Sequence, residues 1–131
     1  MTPLIKYISR DEFEKSEDIF KIISHEINNT FAFFELLGKK YYIGWPSSDI
    51  IKVDLVFLEK EKYLLVGVDL KVVVLDTLSG RIIFSMGLFS YFKGFRDSDE
   101  LSFTIFSELA DISINKNNPS ISQVIMHDLE F

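Results

Sequence analysis

The stretch LLVGVDLKVVVLDTLSGRIIFSM, residues 64–86, decides the fold. The apolar runs in and around it, residues 63–68, 71–76 and 81–88, are short and broken by Asp69-Leu70 and by Thr77-Leu78-Ser79-Gly80. Short runs rich in Val, Ile and Leu between turn residues are strands. Slid along the chain until Leu64 falls on Phe103, the stretch lies without a gap on FTIFSELADISINKNNPSISQVI, residues 103–125. Apolar residues coincide at Leu64/Phe103, Val66/Ile105, Leu70/Leu109, Val73/Ile112, Leu75/Ile114, Ile82/Ile121 and Met86/Ile125. The turns coincide as well, with Asp69 on Glu108, Asp76 on Asn115 and Gly80 on Pro119.

The two units differ on one face. Val72 and Val74 alternate with Val73 and Leu75, so the first unit is apolar on both sides. In the second, Asp111, Ser113 and Asn115 alternate with Ile112 and Ile114. A strand apolar on both faces must be covered twice. A period near 40 is that of a propeller blade, and KVVVLDTLSGRIIFSM resembles the inner hairpin of one; no WD or kelch signature is present. Two units cannot close a ring of about 4–8 blades. The resemblance of residues 64–126 to blade repeats therefore implies a partial, open propeller-like sheet, or a single curved sheet.

Upstream, Ser9-Arg10-Asp11-Glu12 fits a capping box, and acidic residues fill the following turn. Phe13, Phe20, Ile23 and Ile27 then recur at helical spacing, which predicts a helix over residues 10–26 ending near Asn28-Asn29. This face is the expected cover for Val72 and Val74; the alternative is a partner or a second copy of the chain. The period then shortens to two. Residues 31–37 and 40–45 flank Gly38-Lys39, and residues 50–58 and 63–68 flank Glu59-Lys60-Glu61-Lys62, each pair reading as a hairpin. Residues 101–107, 110–115 and 120–126 are the last expected strands, and the aromatic run 89–94 resists assignment. The expected fold class is mainly β (α+β). It is a single domain over residues 1–131, with strands over residues 31–126. The N-terminal helix is expected to pack on an antiparallel, partial propeller-like sheet of two repeat units.

The chain has 14 basic and 20 acidic residues, a net charge of −6, and no cysteine. Disulfides, thiolate nucleophiles and thiolate metal sites are thereby excluded. Residues 1–96 are neutral, with 13 charges of each sign. Asp97, Asp99, Glu100, Glu108, Asp111, Asp128 and Glu130, opposed by Lys116 alone, hold the whole imbalance. Nucleic-acid binding depends on clustered Lys and Arg, so the balance argues against it. No window holds the ~20 apolar residues of a membrane span. The N-terminal apolar stretch is too short and too soon charged for a signal peptide, so a cytoplasmic setting is expected, with no membrane partner.

No sequence element demands chemistry. His25 and His127 form no paired ligand motif, so no metal is expected. Asp97-x-Asp99 opens like a calcium loop, and Glu108 falls at its twelfth position, but Ser102 replaces the sixth-position glycine and the segment has strand character. No nucleophile elbow, dinucleotide fingerprint or phosphate loop occurs. The expectation is a non-enzymatic protein without cofactor.

An acidic surface steers a protein towards a basic partner and can occupy a site that normally holds phosphate. A small, acidic, cysteine-free chain of this kind resembles, in general character over its whole length, the immunity proteins of bacterial toxin systems, including those of contact-dependent growth inhibition. The resemblance implies neutralisation of a nuclease-type toxin by an acidic surface. Asp97, Asp99, Glu100, Glu108 and Asp111 are the candidate phosphate mimics, and Tyr91, from the run Phe89-Ser90-Tyr91-Phe92, is the candidate aromatic anchor. The alternatives are a homo-oligomeric structural or regulatory module, with a homodimer as the possible partner state, and a small-ligand-binding domain with its pocket between helix and sheet.

Overall fold

The computed structural model describes residues 2–127; Asp128 and Glu130 lie outside the described residues. The chain forms three separate four-stranded sheets, none closed, where the sequence predicts one. The middle sheet is an antiparallel meander of β5 (Asp54–Leu58), β6 (Tyr63–Val68), β7 (Lys71–Asp76) and β8 (Arg81–Gly87). The third sheet repeats that plan with β9 (Phe92–Asp97), β10 (Ser102–Ser107), β11 (Ala110–Asn115) and β12 (Ile121–Met126). Tyr63 opens β6 where Ser102 opens β10, and Lys71 opens β7 where Ala110 opens β11. Both offsets equal that of Leu64 from Phe103, so the sequence repeat is the repeat of the sheets.

The first sheet is assembled differently. Its order is β1 (Lys6–Ile8), β3 (Thr30–Leu36), β4 (Lys39–Trp45), β2 (Lys21–Ile23), and β2 lies parallel to β4. The expected helix over residues 10–26 is therefore corrected. Within that segment only α1 (Arg10–Lys15) is α-helical; a 3-10 turn, Asp18–Phe20, leads into β2. The cap itself forms, since Ser9 Oγ accepts from the Glu12 N–H. Ser16 then ends the helix in extended backbone, its hydroxyl donating to the Phe13 carbonyl at 2.6 Å. Serine favours such local bonds over helix continuation. The helical spacing of apolar residues misleads because the chain crosses a sheet edge. Phe13 packs on Phe31, on the outer face of the first sheet. Phe20 packs edge-on against Tyr41, and Ile23 is buried on the opposite, inner face, while Ile27 is exposed.

Stacking of the three sheets answers the doubly apolar strand. Val73 and Leu75, with Leu64, Val66 and Val68, pack against Ala32, Phe34, Tyr41, Ile43 and Trp45 of the first sheet. Val72, Val74 and Leu65 pack against Phe103, Ile105, Ala110, Ile112 and Ile114 of the third. The expected helical cover for Val72 and Val74 is thus also corrected: the third sheet covers them, and α1 instead packs over part of β3 and β4 on the far side of the first. A helix this short offers too small a face for a four-stranded sheet, whereas a second sheet matches it strand for strand.

Corresponding residues of the repeat play corresponding parts. Leu64/Phe103, Val66/Ile105, Val73/Ile112 and Leu75/Ile114 all face the preceding sheet. The opposite faces part company, since Val72 and Val74 are fully buried against another sheet and Asp111 and Ser113 are half-buried with no sheet over them. The aromatic run proves structural in part. Phe92 lies over Gly67, where a Cβ would come within 2.5 Å of the ring, and Phe95 packs on Phe103. Phe89 and Tyr91 stay exposed. Among the described residues no helix is long and apolar enough to cross a membrane.

Candidate functional site

The acidic residues gather where the turns of the middle and third sheets meet. β9 ends at Asp97, and the chain turns through Ser98, Asp99, Glu100 and Leu101 into β10. Asp99 builds that turn: its carboxylate accepts from the Leu101 N–H at 2.8 Å and the Ser102 N–H at 2.9 Å. Asp and Asn shape turns through such bonds. The two backbone donors hold the Asp99 carboxyl below the usual carboxylate range. Beside it lies the β5–β6 turn with Glu59, Lys60 and Glu61, and together these residues line an open depression of about 570 Å³.

Lys116 is the floor of this depression. Its backbone N–H donates to the Leu101 carbonyl at 2.9 Å, and its side chain is 5 % exposed. The ammonium donates to Asp97 Oδ1 and to the Asp99 carbonyl, and lies 3.6 Å from Glu61 Oε1. Burial alone would lower its pKa, but Asp97 and Glu61 outweigh burial and hold it above the ordinary lysine value. One buried cation thus ties the turns of two sheets together. Five carboxylates and two ammonium groups line the depression, leaving three negative charges in excess. Glu59 and Glu100 are exposed and make no side-chain ion pair among the described residues, so they are its outward-facing carboxylates.

The remaining three candidates are elsewhere. Glu108 and Asp111 lie across the β10–β11 turn, at the other end of the third sheet, and Tyr91 is bound to that turn by its carbonyl, which accepts from the Glu108 N–H at 2.9 Å. A six-residue strand separates the two ends by about 17 Å. The single acidic patch expected from the sequence is therefore two clusters, Asp97, Asp99 and Glu100 in one and Glu108, Asp111 and Tyr91 in the other. The same separation keeps Glu108 away from Asp97 and Asp99, so the three cannot share a calcium ion.

The second cluster is organised by His127. Its Nε2 lies 2.8 Å from Asp111 Oδ1 and its Nδ1 lies 2.9 Å from the Glu108 carbonyl. Both neighbours are acceptors, and only the imidazolium has two N–H donors. The Glu108 carbonyl and then the Asp111 carboxylate accordingly hold the His127 pKa above 6.5, against opposition from desolvation and from the Lys93 charge. His25 is remote from this pair, on the loop after β2, and its Nε2 is buried without a partner among the described residues. Among the described residues no three His, Asp or Glu side chains gather as a metal site.

Glu59 and Glu61 are the functional candidates that sequence reasoning passed over. The repeat carries their signal if it is continued upstream, because Glu61 then aligns with Glu100. Equivalent turns of stacked sheets lie side by side, so two turns sharing one acidic position make one acidic surface. Between α1 and the first sheet there is a second depression, lined in part by Arg10, Asn29 and Thr30. Their polar groups are already engaged: Arg10 donates to the Asn28 carbonyl, Asn29 to the Pro46 carbonyl and Thr30 to the Ser47 carbonyl. No protein-family model matches the chain, and no curated protein sequence matches it.

Proposed function

We propose that this chain is a non-enzymatic binding protein that seats its acidic turn end on a basic surface of a protein partner. The observation that supports this reading is the convergence of carboxylates from two sheets on one depression whose buried cation, Lys116, is already bound by Asp97 and Asp99. The uncompensated charge sits on rigid, hydrogen-bonded turns, which suits electrostatic recognition because little ordering entropy is lost on binding. The three stacked sheets are an open, partial propeller-type array, and its β5–β6 and β9–β10 turns supply the binding surface. Glu59 and Glu100 contact the partner directly, Asp99 and Asp97 shape the surface, and Glu108, Asp111 and Tyr91 lie outside its centre.

The resemblance in general character to toxin-neutralising immunity proteins gives the partner its class: a nuclease-type toxin domain whose basic cleft normally holds phosphate. The test uses a nuclease toxin domain encoded beside the gene for this chain. Mixing the two should give a one-to-one complex with loss of nuclease activity. Glu59→Lys with Glu100→Lys should raise the dissociation constant roughly a hundredfold, with the effect shrinking in high salt. Unchanged affinity in the doubly reversed variant would overturn the placement of the surface. Absence of any complex would overturn the proposal itself.

A further inference from the structure

We infer that β12 is a self-association edge through which two copies of this chain pair. β12 closes one side of the third sheet, bonded to β11 on one side and to no strand among the described residues on the other. All six of its residues are exposed, which is true of none of the other edge strands. Ile121, Val124, Ile125 and Met126 are between 45 % and 57 % exposed.

Natural edge strands are blunted by charged side chains, proline or burial. Every other edge strand here follows that rule: β1 carries Lys6, β2 Lys21, β5 Asp54, β8 Arg81, and β9 Lys93 and Arg96. β12, ISQVIM, carries no charge and no proline. Its side chains also continue the core. Val124 lies opposite Ile112, Met126 opposite Ala110 and Ile121 opposite Ile114, so all three stand on the face packed against the middle sheet. The apolar rows of that core run out to the edge without a polar border.

The occupant is a second copy because the strand is complementary to itself. Across a two-fold axis an edge meets its own copy, so edges carrying a like charge oppose themselves, and β12 is the neutral strip. Antiparallel pairing about a two-fold axis perpendicular to the sheet puts the two core-facing sides together, so Val124 and its neighbours meet their own counterparts. It also sets Ile121 of one copy beside the Met126 end of the other. The acidic turns lie at the Ile121 end, because Ile114 pairs with Ile121 and Ser102 with Asn115. The Asp97–Glu100 turns of the two copies are thereby held at opposite ends of the dimer, each on the side of the partner's β10–β11 turn. A strip of one strand is a small interface, so the dimer is a weak one.

Sedimentation of the full chain over a concentration series tests this, independently of any partner. The wild type should pass from monomer to dimer mass as concentration rises. Val124→Lys with Ile125→Lys, both at exposed positions, should raise the dimer dissociation constant at least roughly tenfold while leaving the circular dichroism spectrum unchanged. Ile50→Lys, at an exposed apolar residue on a different loop, should dimerise like the wild type. A wild type that stays monomeric throughout, or a double variant that dimerises normally, would overturn the inference. So would equal loss of dimer in the Ile50→Lys control.

Discussion

The middle and third sheets follow one plan in successive repeat units and end differently. On the side facing the preceding sheet they are alike: Leu75 and Ile114 are both fully buried in inter-sheet cores. On the other side Val74 is fully buried, while its counterpart Ser113 is only half-buried and meets no further sheet. The difference lies in a few alternate positions, and it decides whether another sheet must follow. Stacked repeat arrays need terminal units with a polar outer face. The third sheet has polar residues, Asp111 and Ser113, on its outer face, and α1 packs on part of the far side of the first, with Phe13 against Phe31 and Gly44. Three stacked sheets thus bury both inter-sheet cores without closing a ring.

The shared face provides the largest expected effects. Leu75→Ala and Ile114→Ala should each lower the unfolding free energy by about 2–5 kcal/mol, since each removes a fully buried side chain between two sheets. Urea denaturation measures both, and a loss below about 1 kcal/mol at Ile114 would break the equivalence. The dissimilar face is probed at Gly67 and Phe106, which coincide in the repeat. Gly67→Ala should cost about 1–3 kcal/mol, because the new methyl would meet the Phe92 ring. Phe106, whose ring is half-buried beneath the Arg96 guanidinium, should lose less than that on Phe106→Ala. A larger loss at Phe106 than at Gly67 would show that the outer face is not an end cap.

The smallest effect concerns pH. His127 has a raised pKa in the folded state, so its contribution is fully present below 6.5 and is lost as pH rises through the folded value. The wild-type melting temperature should therefore fall slightly between mildly acidic and mildly alkaline pH relative to His127→Gln, which lacks the titrating group. Parallel melting profiles for the two proteins would remove His127 from the account.

The sheets were legible in the sequence where two signals agreed. Alternation and turn residues at Gly38, Thr77–Gly80 and Asn117-Asn118-Pro119 marked six of the later strands nearly to the residue, and the gapless repeat marked their equivalence. The N-terminal segment was not legible, because Phe13, Phe20 and Ile23 satisfy helical spacing while serving opposite faces of one sheet. A three-residue strand such as β2 is too short to display a period of its own. β9 was hidden by an aromatic run whose members divide between core and surface. For the acidic site, the sequence located the charge but not its division, since Asp99 and Glu108 are close in number and stand at opposite ends of β10. Nor does local sequence mark Lys116 as buried, because its partners Asp97, Asp99 and Glu61 are all distant in sequence.

The central claim is that the same position in the two sheets is core in one and surface in the other. Urea unfolding of Val74→Asp and Ser113→Asp tests it most directly. Val74→Asp buries an unpaired charge between two sheets and should cost more than about 4 kcal/mol or abolish cooperative folding, whereas Ser113→Asp should stay within about 0.5 kcal/mol of the wild type. Equal losses at the two positions would contradict the account.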